Sequence, residues 1–266
     1  MLDPEYLIIA PFNATFWLVL ILFGLILIGL TITLKDKSDK TKRMSLVIAS
    51  VITFVWFILY KYNLSLDTDF NIITAELGGF NWWGELPFHL CNINMIMLPI
   101  GVLLKKKPIL SMCFFVGPLG ALMAIVMPGL GFSGYSILIP RIFSYYGTHF
   151  MIIVEGLLIV TLGLYEPKFK DIPKTILTTV ILCCITFVIN VVLRLTGLNP
   201  NSNYFFNMSP EGNPILEALY NMIPIPLLYV MPCSIILALY ILAVTFGLHL
   251  KHIILPSKKR QQESEQ

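Results

Sequence analysis

The chain has 266 residues, of which 57% are apolar and 12% are charged. A soluble domain carries roughly 25% charged residues, so this composition excludes a protein whose whole surface faces water. The net charge of +3 is small, and we expect no nucleic-acid partner. All five cysteines lie in apolar runs, which argues against a disulfide framework.

Seven apolar segments are long enough to cross a bilayer. A spanning helix needs about 20 mostly apolar residues, and its backbone groups must pair within the helix. The sequence therefore predicts an all-α membrane protein: a bundle of seven transmembrane helices in a single polytopic domain, residues 1–266, with a polar cytoplasmic tail at 257–266. The predicted spans cover residues 12–34, 44–60, 87–104, 109–127, 143–165, 175–195 and 225–250.

The positive charges orient this bundle, because Lys and Arg are retained on the cytoplasmic side. Only Lys61, Arg141 and Arg194 fall on the other side of the seven-span arrangement. The split predicts an N-terminus outside and a C-terminus in the cytoplasm. The remaining 15 of the 18 basic residues share the cytoplasmic side: Lys35, Lys37, Lys40, Lys42, Arg43, Lys105, Lys106, Lys107, Lys168, Lys170, Lys174, Lys251, Lys258, Lys259 and Arg260.

Polar side chains within the spans are functional candidates, because burying them in a bilayer is costly. Cys91 lies 14 residues before Lys105, and His149 lies 17 residues before Glu166. At 1.5 Å per residue of continuous helix, these separations are about 21 Å and about 25 Å, so the two side chains share one height in the outer leaflet. The full set is His89, Cys91, Asn92 and Asn94 on the third span, His149 and Glu155 on the fifth, and Asn190 and Arg194 on the sixth.

Three interpretations of these residues remain open on spacing alone. An imidazole beside a thiol is typical of a cysteine nucleophile, which makes Cys91 and His149 a candidate pair. The same two side chains also fit a packed, hydrogen-bonded core. His89, Cys91, His149 and Glu155 are metal-ligand types, but no ligand pair lies on one helix face, so we expect no metal and no cofactor.

Two motifs carry a resemblance to a known family. LPFHLCNI (residues 86–93) resembles the Cys-bearing third-helix motif of the YwaF-type bacterial integral membrane proteins. YYGTHF (residues 145–150) resembles the His-bearing fifth helix of that family, and NPNSNYFF (residues 199–206) before the last span also fits. The resemblance covers most of the chain, roughly from the second span to the seventh.

The resemblance implies acyl chemistry on lipids. YwaF-type proteins are similar to a eukaryotic transmembrane acyltransferase acting on ether phospholipids, and more distantly to membrane hydrolases of fatty-acid esters of hydroxy fatty acids. By the motif match, Cys91 and His149 would be the catalytic pair of a lipid acyl transferase or acyl-ester hydrolase. Membrane lipids would be the partners, and the bacterial plasma membrane the location. The alternative is a non-catalytic transporter or receptor for an apolar ligand.

Further side chains are assigned supporting roles in this hypothesis. His89, Asn92 or Asn94 would hydrogen bond the oxyanion of an acyl intermediate. Asn203 and Tyr204 would hydrogen bond a lipid headgroup or backbone. Residues 197–219 form a polar loop that we expect to cover the mouth of a cavity containing Cys91.

The predicted topology has a direct test. A reporter fused after Arg260 should be cytoplasmic and a reporter inserted near Asn71 should be outside, because the basic residues divide so unequally between the two sides. Protease protection of both fusions measures the two locations. An extracellular C-terminus would contradict the seven-helix arrangement.

Overall fold

The computed structural model describes residues 7–254, and both the first six residues and the predicted tail at 257–266 lie outside this range. Helices dominate it, and a two-stranded antiparallel ribbon pairs β1 (Ile8–Ile9) with β2 (Tyr135–Ser136). In chain order the helices are α1 (Ala14–Leu34), α2 (Asp39–Leu66), α3 (Thr68–Ile73), α4 (Asn94–Leu103), α5 (Lys107–Val126), α6 (Pro140–Thr161), α7 (Ile172–Leu195), α8 (Pro214–Met222) and α9 (Cys233–Ile254).

Six of the described helices are long and apolar enough to cross a membrane, namely α1, α2, α5, α6, α7 and α9. Large apolar side chains cover their outward faces, as expected where hydrocarbon replaces water. The structure thus confirms a mostly helical, multi-pass membrane protein. The side chains of Asn13 and Ser38 cap the N-termini of α1 and α2. Each accepts a hydrogen bond from a backbone N–H of the first turn.

Helices α5 and α6 lie at the centre of the bundle, and α1 lies on its outside against α6. One close helix approach occurs at Gly156 on α6, where the ring of Pro118 on α5 fills the space that a side chain would occupy. A Cβ atom at Gly156 would lie 2.6 Å from Cγ of Pro118. Small residues permit this type of packing between membrane helices.

The basic residues of three connections meet at one end of the bundle, which we call the basic end. Arg43 donates to the carbonyl of Val102, and Lys105 pairs with Asp39 at 3.5 Å. At the opposite end, Lys61 pairs with Glu85 and Arg141 pairs with Asp67. The clustering of charge that the sequence indicates is therefore present in the structure.

The third predicted span differs from the sequence-based expectation. A continuous helix from Pro87 was expected, but the helix α4 begins only at Asn94. Residues 85–93 form successive tight turns, with Phe88 N–H donating to Leu86 and Ile93 N–H donating to His89. Apolar composition alone cannot distinguish such a turn segment from a helix, because side chains elsewhere in the chain satisfy its backbone.

This turn segment and α4 together run from one end of α2 to the other. Glu85 contacts Lys61 near the end of α2, whereas Lys105 contacts Asp39 at its start. Asp39 and Lys61 are 22 residues apart on one helix, a distance of about 33 Å. The segment 85–105 therefore extends over the same height as a spanning helix, although only half of it is helical.

The packing at Gly156 gives a stability prediction. Gly156→Val should lower the free energy of unfolding by about 1–3 kcal/mol, because the added atoms overlap Pro118 and the carbonyl of Cys113. Thermal unfolding in detergent measures the effect. Gly24→Val on α1 is the matched control, since nothing lies within 4 Å of a Cβ atom there. Equal losses for the two variants would contradict the assignment.

Candidate active site

The structure brings Cys91 and His149 into contact. Cys91 lies on the turn segment and His149 on α6, and the Cys91 Sγ to His149 Nε2 distance is 3.5 Å. Both side chains are buried, with exposed fractions of 7% and 6%. A thiol and an imidazole from positions 58 residues apart are therefore hydrogen bonded inside the bundle.

The hydrogen bond on the other side of the imidazole fixes its tautomer. His149 Nδ1 lies 2.7 Å from the carbonyl oxygen of Tyr145, one turn earlier on α6. A carbonyl oxygen can only accept, so Nδ1 carries the proton and donates it. The Nε2 lone pair then faces the Cys91 thiol and can accept its proton, which is the arrangement a general base needs.

Two asparagines flank this pair and have different surroundings. The Oδ1 atom of Asn92 lies 3.5 Å from Cys91 Sγ and is a second acceptor within reach of the single thiol proton, besides His149 Nε2. Asn94 instead donates from Nδ2 to the carbonyl of Leu90 at 2.9 Å, and its buried Oδ1 has no partner among the described residues. Asn92 thus remains a candidate to contact a reacting group, whereas Asn94 stabilises the turn that carries Cys91.

Helix α5 packs closely against the same turn and supports it. A Cβ atom at Gly120 would lie 3.3 Å from the backbone nitrogen of Cys91, and one at Gly117 would lie 2.8 Å from Cγ of Asn94. A larger residue at Gly120 would press on the backbone of the segment, and one at Gly117 would press on the Asn94 side chain at the start of α4. The glycines that the sequence places in an apolar helix therefore determine the position of the nucleophile candidate.

Tyr204, in the loop between α7 and α8, holds the turn segment from the other side. Its hydroxyl donates to the carbonyl of Trp83 at 2.6 Å and accepts from the N–H of Leu86 at 3.1 Å. Its ring packs edge-on against Phe88 and His89. Burial raises the pKa of the Tyr204 phenol, so the hydroxyl keeps the proton that it donates.

The loop around Tyr204 is fixed to α7 by Asn190. The Asn190 side chain donates to the carbonyl of Tyr204, accepts from its N–H, and also contacts Ser202 and Asn207. Such a network compensates for the strain of two consecutive left-handed residues, Phe205 and Phe206, with φ of 59° and 53°. Tyr204 therefore approaches the turn segment on a rigid support.

The remaining predicted positions do not converge on the thiol. The ring of His89 packs against Tyr204 and Phe206, on the loop side of the turn segment. Asn203 makes its hydrogen bonds within its own loop, to Met208, Ser209 and Glu211. Burial raises the pKa of the Glu211 carboxyl, which the Asn203 hydrogen bond opposes.

Glu155 belongs to a separate contact, deeper in the bundle. The hydroxyl of Thr53 on α2 donates to its carboxyl group, which is 2% exposed. Six residues separate Glu155 from His149, about 9 Å along α6. Within residues 7–254, no three His, Cys, Asp or Glu side chains group as a metal site would require, so the metal alternative has no ligand set there.

One charged pair near the site was not expected from the sequence. Lys61 is 8% exposed, pairs with Glu85 just before the turn segment, and lies 4.5 Å above the ring of Tyr60. The sequence sets Lys61 apart from the cytoplasmic groups of basic residues, but it does not indicate Glu85 as its partner.

Comparison with known proteins assigns the family. The model of the TMEM164 family matches residues 8–248, which is most of the chain, and the chain belongs to this family of transmembrane proteins. No curated protein and no solved structure matches the chain.

The contacts of Tyr204 generate a prediction about the turn segment. Tyr204→Phe leaves Trp83 O and Leu86 N without a partner, which should cost about 1–3 kcal/mol and loosen the turn. We expect faster modification of Cys91 by a maleimide, followed by mass spectrometry. Tyr62→Phe, at an exposed position, is the control. An unchanged modification rate would show that the hydroxyl does not hold the turn.

Proposed function

We propose that this member of the TMEM164 family is a membrane enzyme that transfers or hydrolyses a lipid acyl group through a thioester on Cys91. The observation that carries the proposal is the 3.5 Å contact between Cys91 Sγ and the unprotonated Nε2 of His149. The motif resemblance to YwaF-type proteins and to Cys/His lipid acyltransferases supports the same pair of residues.

The first chemical step is attack of Cys91 sulfur on the ester carbonyl of a lipid. As the carbon–sulfur bond forms, the thiol proton moves to His149 Nε2 and the carbonyl electrons move onto oxygen. The oxyanion then collapses, the ester carbon–oxygen bond breaks, and the leaving alcohol takes the proton from Nε2. The acyl group remains on Cys91 as a thioester.

The second step regenerates the thiol. An acceptor hydroxyl, from a lipid or from water, attacks the thioester carbonyl while His149 Nε2 takes its proton. The carbon–sulfur bond breaks and the sulfur recovers the proton from Nε2. A lipid acceptor makes the reaction an acyl transfer, and water makes it a hydrolysis.

One group beside the pair is suited to stabilise the oxyanion. The Asn92 side chain lies beside Sγ with Oδ1 toward the sulfur, and rotation of its amide would turn Nδ2 toward an oxyanion formed there. We assign Asn92 as the oxyanion-stabilising residue in this mechanism.

We further propose that the chain crosses the membrane seven times, with the basic end in the cytoplasm. The segment 85–105, which runs the length of α2, would supply the seventh crossing. Non-helical backbone is tolerated at membrane depth only where it is buried in protein or lines a water-filled cavity. The Cys91–His149 pair would then lie toward the outer leaflet of the plasma membrane, where lipid esters supply the substrate.

Activity-based labelling tests the proposal. In a Cys184→Ser background, which removes the exposed thiol, a thiol-reactive acyl probe should label the chain at Cys91. Cys91→Ala should abolish labelling, and His149→Gln should slow it by about 10²–10⁴-fold through loss of the general base. Gel fluorescence over time measures both effects.

Cys113→Ala and Cys233→Ala are the matched controls and should label as the parent does. Equal labelling of these variants and Cys91→Ala would contradict acyl chemistry at Cys91. That result would favour the alternative, a transporter or receptor for an apolar ligand.

A further inference from the structure

A cavity of about 320 Å³ opens at the basic end, far from the Cys91–His149 pair. It lies between the start of α5, the connection after α6 and the start of α7. Four lysines line it, and they come from these three separate segments: Lys107, Lys168, Lys170 and Lys174.

The charge balance of the cavity favours an anion. Its lining contains the four lysines but only two carboxylates, Glu166 and Asp171. Among the described residues, Lys168 is the member of the four that forms a salt bridge, with Glu166 at 2.9 Å. The other three lysines add further positive charge to the lining.

The inner wall of the cavity is polar and rigid. The hydroxyl of Tyr165 donates to Asp171 Oδ2 at 3.1 Å and lies 3.0 Å from Ser111 Oγ, which in turn hydrogen bonds with Thr175. Asp171 is therefore engaged with Tyr165. The wall holds the surrounding backbone in place, and four lysines against two carboxylates leave the lining with a net charge of +2.

An apolar stripe begins directly beside this cavity. The exposed side chains of α7 recur every three or four residues, so they share one face of the helix. Lys174 stands three residues before the first of them, on the same face. The stripe consists of Leu177, Ile181, Ile185, Val188 and Val192.

We propose that this cavity binds the phosphate group of an anionic phospholipid in the leaflet at the basic end. The lysines would contact the phosphate, and the acyl chains would lie along the apolar face of α7. Retention of basic residues at one end explains why lysines are there. It does not explain why lysines from three segments converge on one cavity next to an apolar stripe, and the proposed ligand does.

Native mass spectrometry of the full chain in detergent tests the proposal, with phosphatidylglycerol and phosphatidylcholine of identical acyl chains as probes. The chain should retain phosphatidylglycerol in preference to phosphatidylcholine. The triple variant Lys168→Gln, Lys170→Gln, Lys174→Gln should lose about tenfold or more of this affinity, since each lysine near a lipid surface contributes appreciably. Thermal unfolding of the same variant reports whether it remains folded.

The matched control is Lys35→Gln, Lys37→Gln, Lys40→Gln, which removes three exposed lysines from the same end of the bundle but outside the cavity. It should retain phosphatidylglycerol as the parent does. An equal loss in both triple variants would mean that general surface charge attracts the lipid, and the site would be rejected.

Inorganic phosphate distinguishes a lipid headgroup from a soluble anion. We expect millimolar phosphate to leave phosphatidylglycerol bound, because the acyl chains add contacts on α7 that phosphate lacks. Complete displacement of the lipid by phosphate would overturn the assignment of a lipid ligand. Neither result depends on acyl chemistry at Cys91, so the two proposals can fail separately.

Discussion

The organisation of this protein depends on one constraint, which is that buried non-helical backbone must find its hydrogen-bond partners within the protein. Residues 85–93 do not form a helix, so they cannot satisfy their own peptide groups in the regular way. Tyr204 supplies a donor and an acceptor, and the Asn94 side chain supplies another donor. The loop after α7 is thus a structural requirement of the turn that carries Cys91.

The same constraint explains why the central helices contain glycine where they face this turn. Gly120 gives the turn space against α5, and Gly117 gives space to the Asn94 side chain where α4 begins. His149 then reaches the thiol from α6, with its orientation fixed by the carbonyl of Tyr145. The lone pair of His149 Nε2 therefore points at Cys91 Sγ because of three things together: the turn, the close packing of α5, and the tautomer of the imidazole.

Much of this arrangement could be predicted from the sequence, for identifiable reasons. Apolar length identified the membrane helices, because the bilayer thickness fixes the length of a span. Helical spacing predicts equal heights in the membrane for Cys91 and His149 if one helix runs through Cys91, yet α4 starts at Asn94. The two side chains still meet, because the turn segment and α4 together cover the same length as α2.

Other features could not be read from one sequence. The lysine–carboxylate pair of Lys61 and Glu85 joins positions 24 residues apart through a tertiary contact that no periodic pattern encodes. The sequence predicts that Tyr204 contacts lipid or backbone, and the structure shows backbone contacts, which depend on a loop conformation set by Asn190. Asn203 was assigned the same role, but its hydrogen bonds remain within its own loop.

The burial of Cys91 also bears on how this thiol survives in the cell. Oxidation to sulfenic acid and beyond depends on access of peroxide to the sulfur, so an exposed nucleophilic cysteine is readily inactivated. At 7% exposure, and covered by α5, α6 and the turn segment, Cys91 is shielded from such oxidants in the conformation seen here. The chemical lifetime of the thiol is therefore set by how often this covering opens.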